Sequence, residues 1–436
     1  MEVMGKLEKE EDVKDTDMKD CKKRKYQAYV LSDEIIFYGI LPWVPIKPLI
    51  RLKLICKEWF TRISTDSLFK SSQYRRSVSN PPHGLIYKGH YKYVFFHTTS
   101  TRDLVGLPDL NKYNVMCDRR HMKYFHHICD SSMLASSNGL LCGSYYRDGT
   151  EYFYVSNPLT NEMVSIPNSN KLEDVALAFE PLTRNPYFTL VARTRRLNPN
   201  NTTDIGFLVY SSRKGIWEVS NAKVRILNLI GIFLRFQIRS VFTGGKLHWK
   251  LGEDVLWYHV EEDNAGVVTI PGEKERYRYG EIGDLNGELS YTNISTQGDI
   301  GVWVLKSNKT TESKWVNICC LSLKRVFEYT MKSEIACERT LIMKLAEAST
   351  YDLFRRPIPY EGGDVLMFWL NYKMKEEKKE GIVVSYNNKT GCLQFDHQSE
   401  LSRWEGPLLS YTSCLVSLPK LCNPTSCESI SNAIVG

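Results

Sequence analysis

The sequence predicts a mainly β protein, with a short helical segment near the N-terminus and a long β-propeller after it. Helical periodicity of apolar residues is confined to a stretch of about 45 residues that begins at Leu31. After Arg76 come short runs rich in Val, Tyr, Phe, Trp and Leu, separated by Asn-Gly, Gly-Gly, Asp-Gly and Asn-Pro pairs. Such pairs are turn signals, and the runs between them are typical of strands. A two-strand unit then appears in six copies along the chain.

Composition excludes several classes of protein. Hydrophobic residues make up 42% of the 436 residues and charged residues 25%, which is typical of a globular protein. The net charge of +7 is a small excess, so nucleic acid is not expected as a partner. No apolar run is long enough to span a membrane. The first thirty residues alternate Lys with Glu and Asp, unlike a secretory signal, so we expect the nucleus or cytoplasm and twelve reduced, mainly buried cysteines.

The charged residues 1–29 predict a disordered tail, and helices begin after it. Ser32 is a suitable N-cap, and Ile35, Ile36, Ile40 and Leu41 recur at helical spacing. Prolines then end this first helix. A second helix is predicted from one apolar stripe: Leu49, Leu52, Cys56, Trp59, Phe60 and Ile63. A third, from Asp66 to Arg75, is expected to bury Leu68 and Phe69.

The repeated unit is an apolar strand, a polar turn and a second strand. Its six copies begin at Val94, Val155, Val209, Trp257, Val302 and Val383. Between copies lie tight turns such as Ser137-Asn138-Gly139 and Leu285-Asn286-Gly287. The spacing is roughly 45 to 60 residues, except for a last interval of about 80, which is typical of propeller blades. Because a further copy fits near Glu328 to Leu353, we expect about six to seven blades.

The helical stretch resembles an F-box, particularly the plant type. The blocks Val44-Pro45-Ile46-Lys47-Pro48-Leu49 and Ile55-Cys56-Lys57-Glu58-Trp59 carry the resemblance at their expected separation. Two departures are Ser32, where the family has Pro, and Pro42, where a small polar residue is common. The resemblance implies docking to a Skp-type adaptor, and through it to a cullin. The residues expected to bind the adaptor, some of which must form the module's own core, are Leu31, Ile35, Ile36, Ile40, Leu49, Leu52, Cys56 and Trp59.

The β region resembles the plant F-box-associated domain, a kelch-like β-propeller. The blocks Ser137-Asn138-Gly139-Leu140-Leu141-Cys142 and Val155-Ser156-Asn157-Pro158-Leu159-Thr160-Asn161 are the most specific matches. The expected organisation is a tail at residues 1–29, an F-box at 30–76, the propeller at 77–420 and a second tail at 421–436.

Candidate chemical sites are few. Cys117, His121, His126, His127 and Cys129 include zinc-binding residue types, but their spacing fits no zinc finger, so we predict a loop and no metal. No nucleophile motif, phosphate-binding glycine loop or His-x-x-x-His pair is present, and we predict no catalytic residues and no cofactor. Cys319 and Cys320 are expected in the core. Arg193, Arg195 and Arg196 form a basic patch, expected at a hairpin tip.

The F-box resemblance implies the substrate receptor of a Skp–cullin–F-box ubiquitin ligase, which acts by proximity and performs no covalent chemistry. Its propeller is then expected to bind a protein target through long polar loops such as Cys117–Cys129 and Arg184–Thr203. The target itself is not identified. The alternative is a propeller lectin or enzyme that carries a vestigial F-box.

Overall fold

The computed structural model describes residues 31–78, 84–88, 93–97, 132–147, 149–160, 162–168, 172, 175–200, 202–227, 239–271, 279–295, 299–308, 311–326, 353–373, 379–398, 408–419 and 421. The predicted tails, apart from Leu421, and the Cys117–Cys129 loop lie outside these residues.

Four helical segments precede the sheets. They are the π-helical segment α1 (Ile35–Ile40), which continues into a 3₁₀ turn at Leu41–Trp43, and the α-helices α2 (Ile46–Leu52), α3 (Lys57–Thr65) and α4 (Ser67–Val78). Ser32 Oγ accepts a hydrogen bond from the N–H of Ile35 (3.4 Å), as predicted for an N-cap. Asp66 Oδ1 accepts from the N–H groups of Leu68 (2.9 Å) and Phe69 (3.0 Å) and so caps α4.

The prediction of one continuous second helix is wrong. The N–H groups of Lys53, Leu54 and Ile55 bond to carbonyls three residues back, which tightens the end of α2. Cys56 is then extended (φ −158°, ψ 168°), so α3 starts in a new phase. Leu68 was expected to be buried but is 72% exposed, because the inward face of α4 passes through Phe69 instead.

Twenty-three strands follow among the described residues. They are β1 (Gly84–Lys88), β2 (Tyr93–His97), β3 (Ser132–Ser137), β4 (Leu140–Arg147), β5 (Thr150–Asn157), β6 (Glu162–Pro167), β7 (Val175–Phe179), β8 (Phe188–Leu197), β9 (Thr202–Ser211), β10 (Ile216–Leu227), β11 (Ser240–Thr243), β12 (Lys246–Leu251), β13 (Asp254–His259), β14 (Asn264–Thr269), β15 (Tyr279–Leu285), β16 (Glu288–Ile294), β17 (Asp299–Asn308), β18 (Thr311–Ser322), β19 (Leu353–Pro357), β20 (Val365–Lys373), β21 (Lys379–Asn387), β22 (Leu393–Gln398) and β23 (Leu409–Tyr411).

These strands form six antiparallel sheets. Sheet I has the order β2-β1-β23, and sheets II to V are the four-stranded meanders β3–β6, β7–β10, β11–β14 and β15–β18. Sheet VI is the meander β19–β22. Because sheet I takes β1 and β2 from the start of the β region and β23 from its end, the two ends of the region are hydrogen-bonded together.

The predicted repeat corresponds to one position in each sheet. Its last five copies are the hairpins of the third and fourth strands. The first copy supplies β2, and the rest of that copy lies outside the described residues. The predicted tight turns join first strands to second strands. Asn138 and Gly139 (φ 46° and 92°) and Asn286 and Gly287 (φ 54° and 84°) adopt the left-handed backbone that this turn requires.

The described sheets lie in a ring around their first strands, and in sheet I β23 takes that position. Each of these strands contacts the next in the order β23, β3, β7, β11, β15, β19. Sheets VI and I are in contact through a cluster of buried side chains: Leu85, Ile358, Trp369, Val383 and Leu408. β15 contacts β19 directly. Of the stretch from Glu328 to Leu353, where a seventh repeat was predicted, only Leu353 is described, and it begins β19.

Three loop and core predictions are corrected. Arg184–Thr203 is not a long loop, because β8 begins at Phe188 and its apolar residues alternate into the sheet. The basic patch belongs to β8 itself: Arg193 is half-buried along the strand, whereas Arg195 and Arg196 are exposed near its end, close to the β8–β9 turn. Cys319 is half-buried and Cys320 exposed, because they lie on the outermost strand of sheet V, and among the other described cysteines Cys56 and Cys392 are also exposed.

Candidate functional site

The helical module, residues 31–78, carries an exposed apolar surface. Fifteen large apolar side chains are exposed among the described residues, and nine of these belong to the module. We call these nine the apolar surface: Leu31, Ile35, Tyr38, Ile40, Trp43, Leu54, Ile55, Phe60 and Leu68. Leu54 is 86% exposed and Ile55 60%. Concentrated exposure of this kind is typical of an interaction site.

Beneath this surface is a small core that the module does not complete alone. Its buried members are Phe37, Leu41, Ile46, Leu49, Ile63, Phe69 and Leu415, the last from the far end of the chain. The Phe37 ring packs edge-on against Trp59 (centroids 5.2 Å apart) and Phe69 (6.2 Å). A module this small buries little of its own surface, and Leu415 adds to what it can bury.

The structure divides the eight residues predicted to bind the adaptor. Leu31, Ile35, Ile40 and Cys56 are exposed, Ile36, Leu52 and Trp59 are half-buried, and Leu49 is fully buried. Leu49 therefore belongs to the module's own core. The prediction missed Tyr38, Trp43, Leu54, Ile55, Phe60 and Leu68 as surface residues. The usable signal was that Leu54 and Ile55 are large apolar residues off the predicted helical stripe.

The segment Ser413–Leu418 joins the module to sheet II. Lys70 Nζ, on α4, donates to Ser417 Oγ (3.0 Å). On the other side, Asn157 Nδ2 donates to the carbonyl oxygens of Cys414 (3.0 Å) and Val416 (2.9 Å). The N–H of Leu418 donates to Glu162 Oε2 (2.6 Å). The module thus packs at the end of the ring that carries the β5–β6 turn. We call this the helical end. The opposite end, which carries the turns between the second and third strands of the sheets, is called the far end.

A polar contact also fixes the module internally. Tyr38 OH donates to Asp66 Oδ2 (2.6 Å), which joins α1 to the cap of α4. This hydrogen bond raises the pKa of the Tyr38 hydroxyl above its ordinary value. Partial burial acts to raise the pKa of Asp66, but its hydrogen bonds from Tyr38 and from the α4 backbone outweigh burial and lower it.

A buried arginine, Arg239, joins three sheets that surround the axis of the ring. Arg239 precedes β11, and its Nη2 donates to Glu361 Oε1 of sheet VI (2.6 Å) and to Ser410 Oγ of sheet I (2.8 Å). Both charged side chains are buried, at 7% and 8% exposure. In the order of the six described sheets, IV and I are opposite each other, so Arg239 spans the axis.

The neighbouring acid, Asp284, accepts from Thr243 Oγ1 and from the N–H of Gly287 (3.0 Å). Burial raises the pKa of Asp284 to about 6, and the nearby Glu361 adds to that rise. These hydrogen bonds and this ion pair connect the sheets near the axis. Within the described part of the chain, no three His, Cys, Asp or Glu side chains converge to hold a metal. In the same residues, no helix combines the length and apolar character that a bilayer crossing needs.

Comparison with known proteins decides the family. The family described as "F-box protein At3g26010-like, beta-propeller" matches residues 85–332, more than half of the chain. The chain belongs to this F-box β-propeller family. F-box protein At5g07610 of Arabidopsis thaliana is similar, with 23% identity over 76% of this chain and 82% of its own length. F-box protein At5g49610, also of Arabidopsis thaliana, is 25% identical over 68% of this chain and 80% of its length.

Among solved structures, a six-bladed β-propeller lectin from Aleuria aurantia with a fucose recognition mode is 12% identical to this F-box propeller protein. The match covers 65% of this chain and 81% of the lectin, with a TM-score of 0.31. That score is too low to support an inference about this chain.

Proposed function

We propose that this protein is the substrate receptor of a Skp–cullin–F-box ubiquitin ligase. The helical module is its F-box and docks the Skp-type adaptor, the strands from Gly84 to Tyr411 form a kelch-like propeller of six blades, and the propeller holds a protein target. The receptor performs no covalent chemistry, because its contribution is to raise the concentration of the target near the conjugating enzyme.

One observation carries the proposal: nine of the fifteen exposed large apolar side chains lie on the helical module. Exposed apolar surface is unfavourable in water, at about 25 cal/mol per Å² of area that a partner would cover. Family membership supplies the partner class, since the relatives are named F-box proteins. Four of the eight predicted adaptor residues, Leu31, Ile35, Ile40 and Cys56, remain in the proposed interface, and Leu49 supports it from beneath.

Contacts with the C-terminal segment suggest how the module is held relative to the target. The module's core includes Leu415, and its helix α4 is hydrogen-bonded to Ser417. The adaptor and the propeller are then connected through packed side chains and not through a flexible linker. A fixed separation favours transfer of ubiquitin to lysines at a limited range of positions on the target.

The test is capture of a purified Skp-type adaptor by the full-length protein. Two double variants, Leu54→Glu with Ile55→Glu and Leu31→Glu with Ile35→Glu, place charges on exposed positions and leave the core intact. We expect adaptor capture to fall at least about tenfold in one or both. The matched control is Val316→Glu with Ile318→Glu on β18, where both side chains are also exposed. Undiminished capture by both variants, or no capture by the wild type, would contradict the proposal.

A further inference from the structure

A row of charges crosses one face of sheet III near the far end. In the strand register, Arg196 of β8 is opposite Asp204 of β9, and Asp204 is opposite Arg225 of β10. The next row on the same face is Thr194, Gly206 and Lys223. Because alternate residues of a strand share a face, the three cations Arg196, Lys223 and Arg225 lie on one side of the sheet.

This surface is exposed and positively charged. Arg196, Lys223 and Arg225 are all exposed, and the Arg225 side chain is 66% exposed. In the two rows that the structure describes, Asp204 is the one acid among them. Arg225 donates to it twice, from Nε to Oδ1 (2.7 Å) and from Nη2 to Oδ2 (3.2 Å). That hydrogen bonding is the main reason that the pKa of Asp204 falls to about 2, so the acid stays ionised and oriented.

The surface between the three cations, which we call the floor, is formed by the small residues Thr194 and Gly206. Gly206 has no side chain, and the small Thr194 hydroxyl fills part of the space beside it, since a Cβ added at Gly206 would lie only 2.9 Å from Thr194 Oγ1. The rows are separated by two residues along each strand, and the cations stand around this shallow floor. An extended chain laid over Gly206 and Thr194 therefore meets positive charge on its flanks.

We propose that this face, formed by Arg196, Lys223 and Arg225 around Asp204, binds an acidic segment of a protein. Taking that protein to be the ligase target rests on the proposed function above. Arginine side chains suit carboxylate and phosphate groups because their planar donors match two oxygens at once. The helical module packs at the helical end, so the far end stays accessible when the adaptor is bound.

Two features favour a polypeptide over nucleic acid. The Arg196–Asp204–Arg225 row spans three strands, about 10 Å, which is shorter than the basic stripes that follow a phosphate backbone. Asp204 is an acceptor in the middle of the row. A peptide can donate backbone N–H groups to such an acceptor, whereas a phosphodiester backbone has no donor and is repelled by the carboxylate.

The test measures binding of fluorescently labelled peptides to the full-length protein by anisotropy. One peptide is glutamate-rich, one carries phosphoserine in place of the glutamates, and the comparison ligand is a single-stranded DNA oligomer. We expect binding of at least one acidic peptide that weakens with salt. We also expect a loss of about tenfold or more in the variant Arg196→Glu with Lys223→Glu. The peptide that binds more tightly shows whether the face recognises carboxylate groups or phosphate groups.

The matched control is Lys314→Glu with Lys324→Glu, an equal change of charge at exposed positions of another sheet and of the helical turn that follows it. Equal losses in both variants, stronger binding of DNA than of either peptide, or no peptide binding by the wild type would each overturn the proposal. Adaptor capture is measured on the same samples. If the protein captures the adaptor but binds neither peptide, the proposed docking face is wrong and the receptor function stands. If it binds a peptide but does not capture the adaptor, the docking face stands and the receptor function is wrong.

Discussion

Asn157 and Cys414 are 257 residues apart in the sequence and are joined by a hydrogen bond of 3.0 Å from Asn157 Nδ2 to the Cys414 carbonyl oxygen. The same amide group donates to Val416. Its Oδ1 accepts from the N–H of Leu159 (3.0 Å) in the β5–β6 turn. One buried side chain therefore organises a local turn and also holds the segment on which the helical module packs.

The first prediction separates these two roles of Asn157. Asn157→Ala should lower the free energy of unfolding by about 2 to 4 kcal/mol, because two buried carbonyls lose their donor. The control is Asn387→Ala. Asn387 Oδ1 makes the equivalent turn bonds to Lys389 (2.9 Å) and Thr390 (3.0 Å), but its side chain contacts no C-terminal segment in the described structure. Urea unfolding compares the two, and equal losses would show that only the turn matters.

The second prediction concerns Gly139 of the β3–β4 turn. A Cβ at Gly139 would lie 2.3 Å from Cys414 Cβ and 2.9 Å from Cys414 N. Gly287 has a similar positive φ in the equivalent β15–β16 turn and nothing within 4 Å. Gly287→Ala should cost about 1 kcal/mol for backbone strain alone. Gly139→Ala should cost roughly 1 to 3 kcal/mol more, because the C-terminal segment must move. Thermal unfolding with equal losses in both would refute the close approach.

The third prediction concerns the buried ion pair between Arg239 and Glu361. Arg239→Met should destabilise the protein by about 3 to 5 kcal/mol, because Glu361 is left buried and unpaired. Arg225→Met, which removes an exposed partner of Asp204, should destabilise the protein far less, because solvent screens an exposed ion pair. Adding Glu361→Leu to Arg239→Met should recover most of the loss. Failure of that double change to recover stability in chemical unfolding would show that the arginine acts otherwise than by pairing.

The fourth prediction is a dependence of stability on pH. The pKa of Asp284 in the folded protein is about 6, above its ordinary 3.8. Since a raised pKa favours the protonated form, stability that is present below about pH 4 is lost as pH rises through 6, by about 3 kcal/mol in total. Asp284→Asn should therefore match the wild type at pH 4 and exceed it at pH 7.5. Unfolding curves at the two pH values measure this, and equal differences at both would contradict it.

Much of the fold could be predicted because its signals are local. A pair such as Asn286-Gly287 requires a left-handed turn whatever surrounds it, and alternating apolar residues on either side require strands. The repeat then indicates several similar sheets. The break between α2 and α3 was not predictable in this way. Lys53 to Cys56 contain neither Gly nor Pro, and the end of α2 is visible only in its hydrogen bonds.

The candidate site was predictable in kind but not residue by residue. Leu49 and Leu54 are the same residue type five positions apart, yet Leu49 is fully buried and Leu54 is 86% exposed. The difference depends on the tightened turn at Lys53 to Ile55 that ends α2, and on Leu415, which fills the module's core from the other end of the chain. Neither is a property of the local pattern.

By itself, the sequence determined the class of each segment: a charged start, a helical module that resembles an F-box, and repeated hairpins with turn residues at set places. Those features depend on backbone conformation and spacing within a few residues. Only the tertiary structure decided that Asn157 holds the C-terminal segment and that Arg239 crosses the axis. These depend on which distant groups the closed ring places within hydrogen-bonding distance.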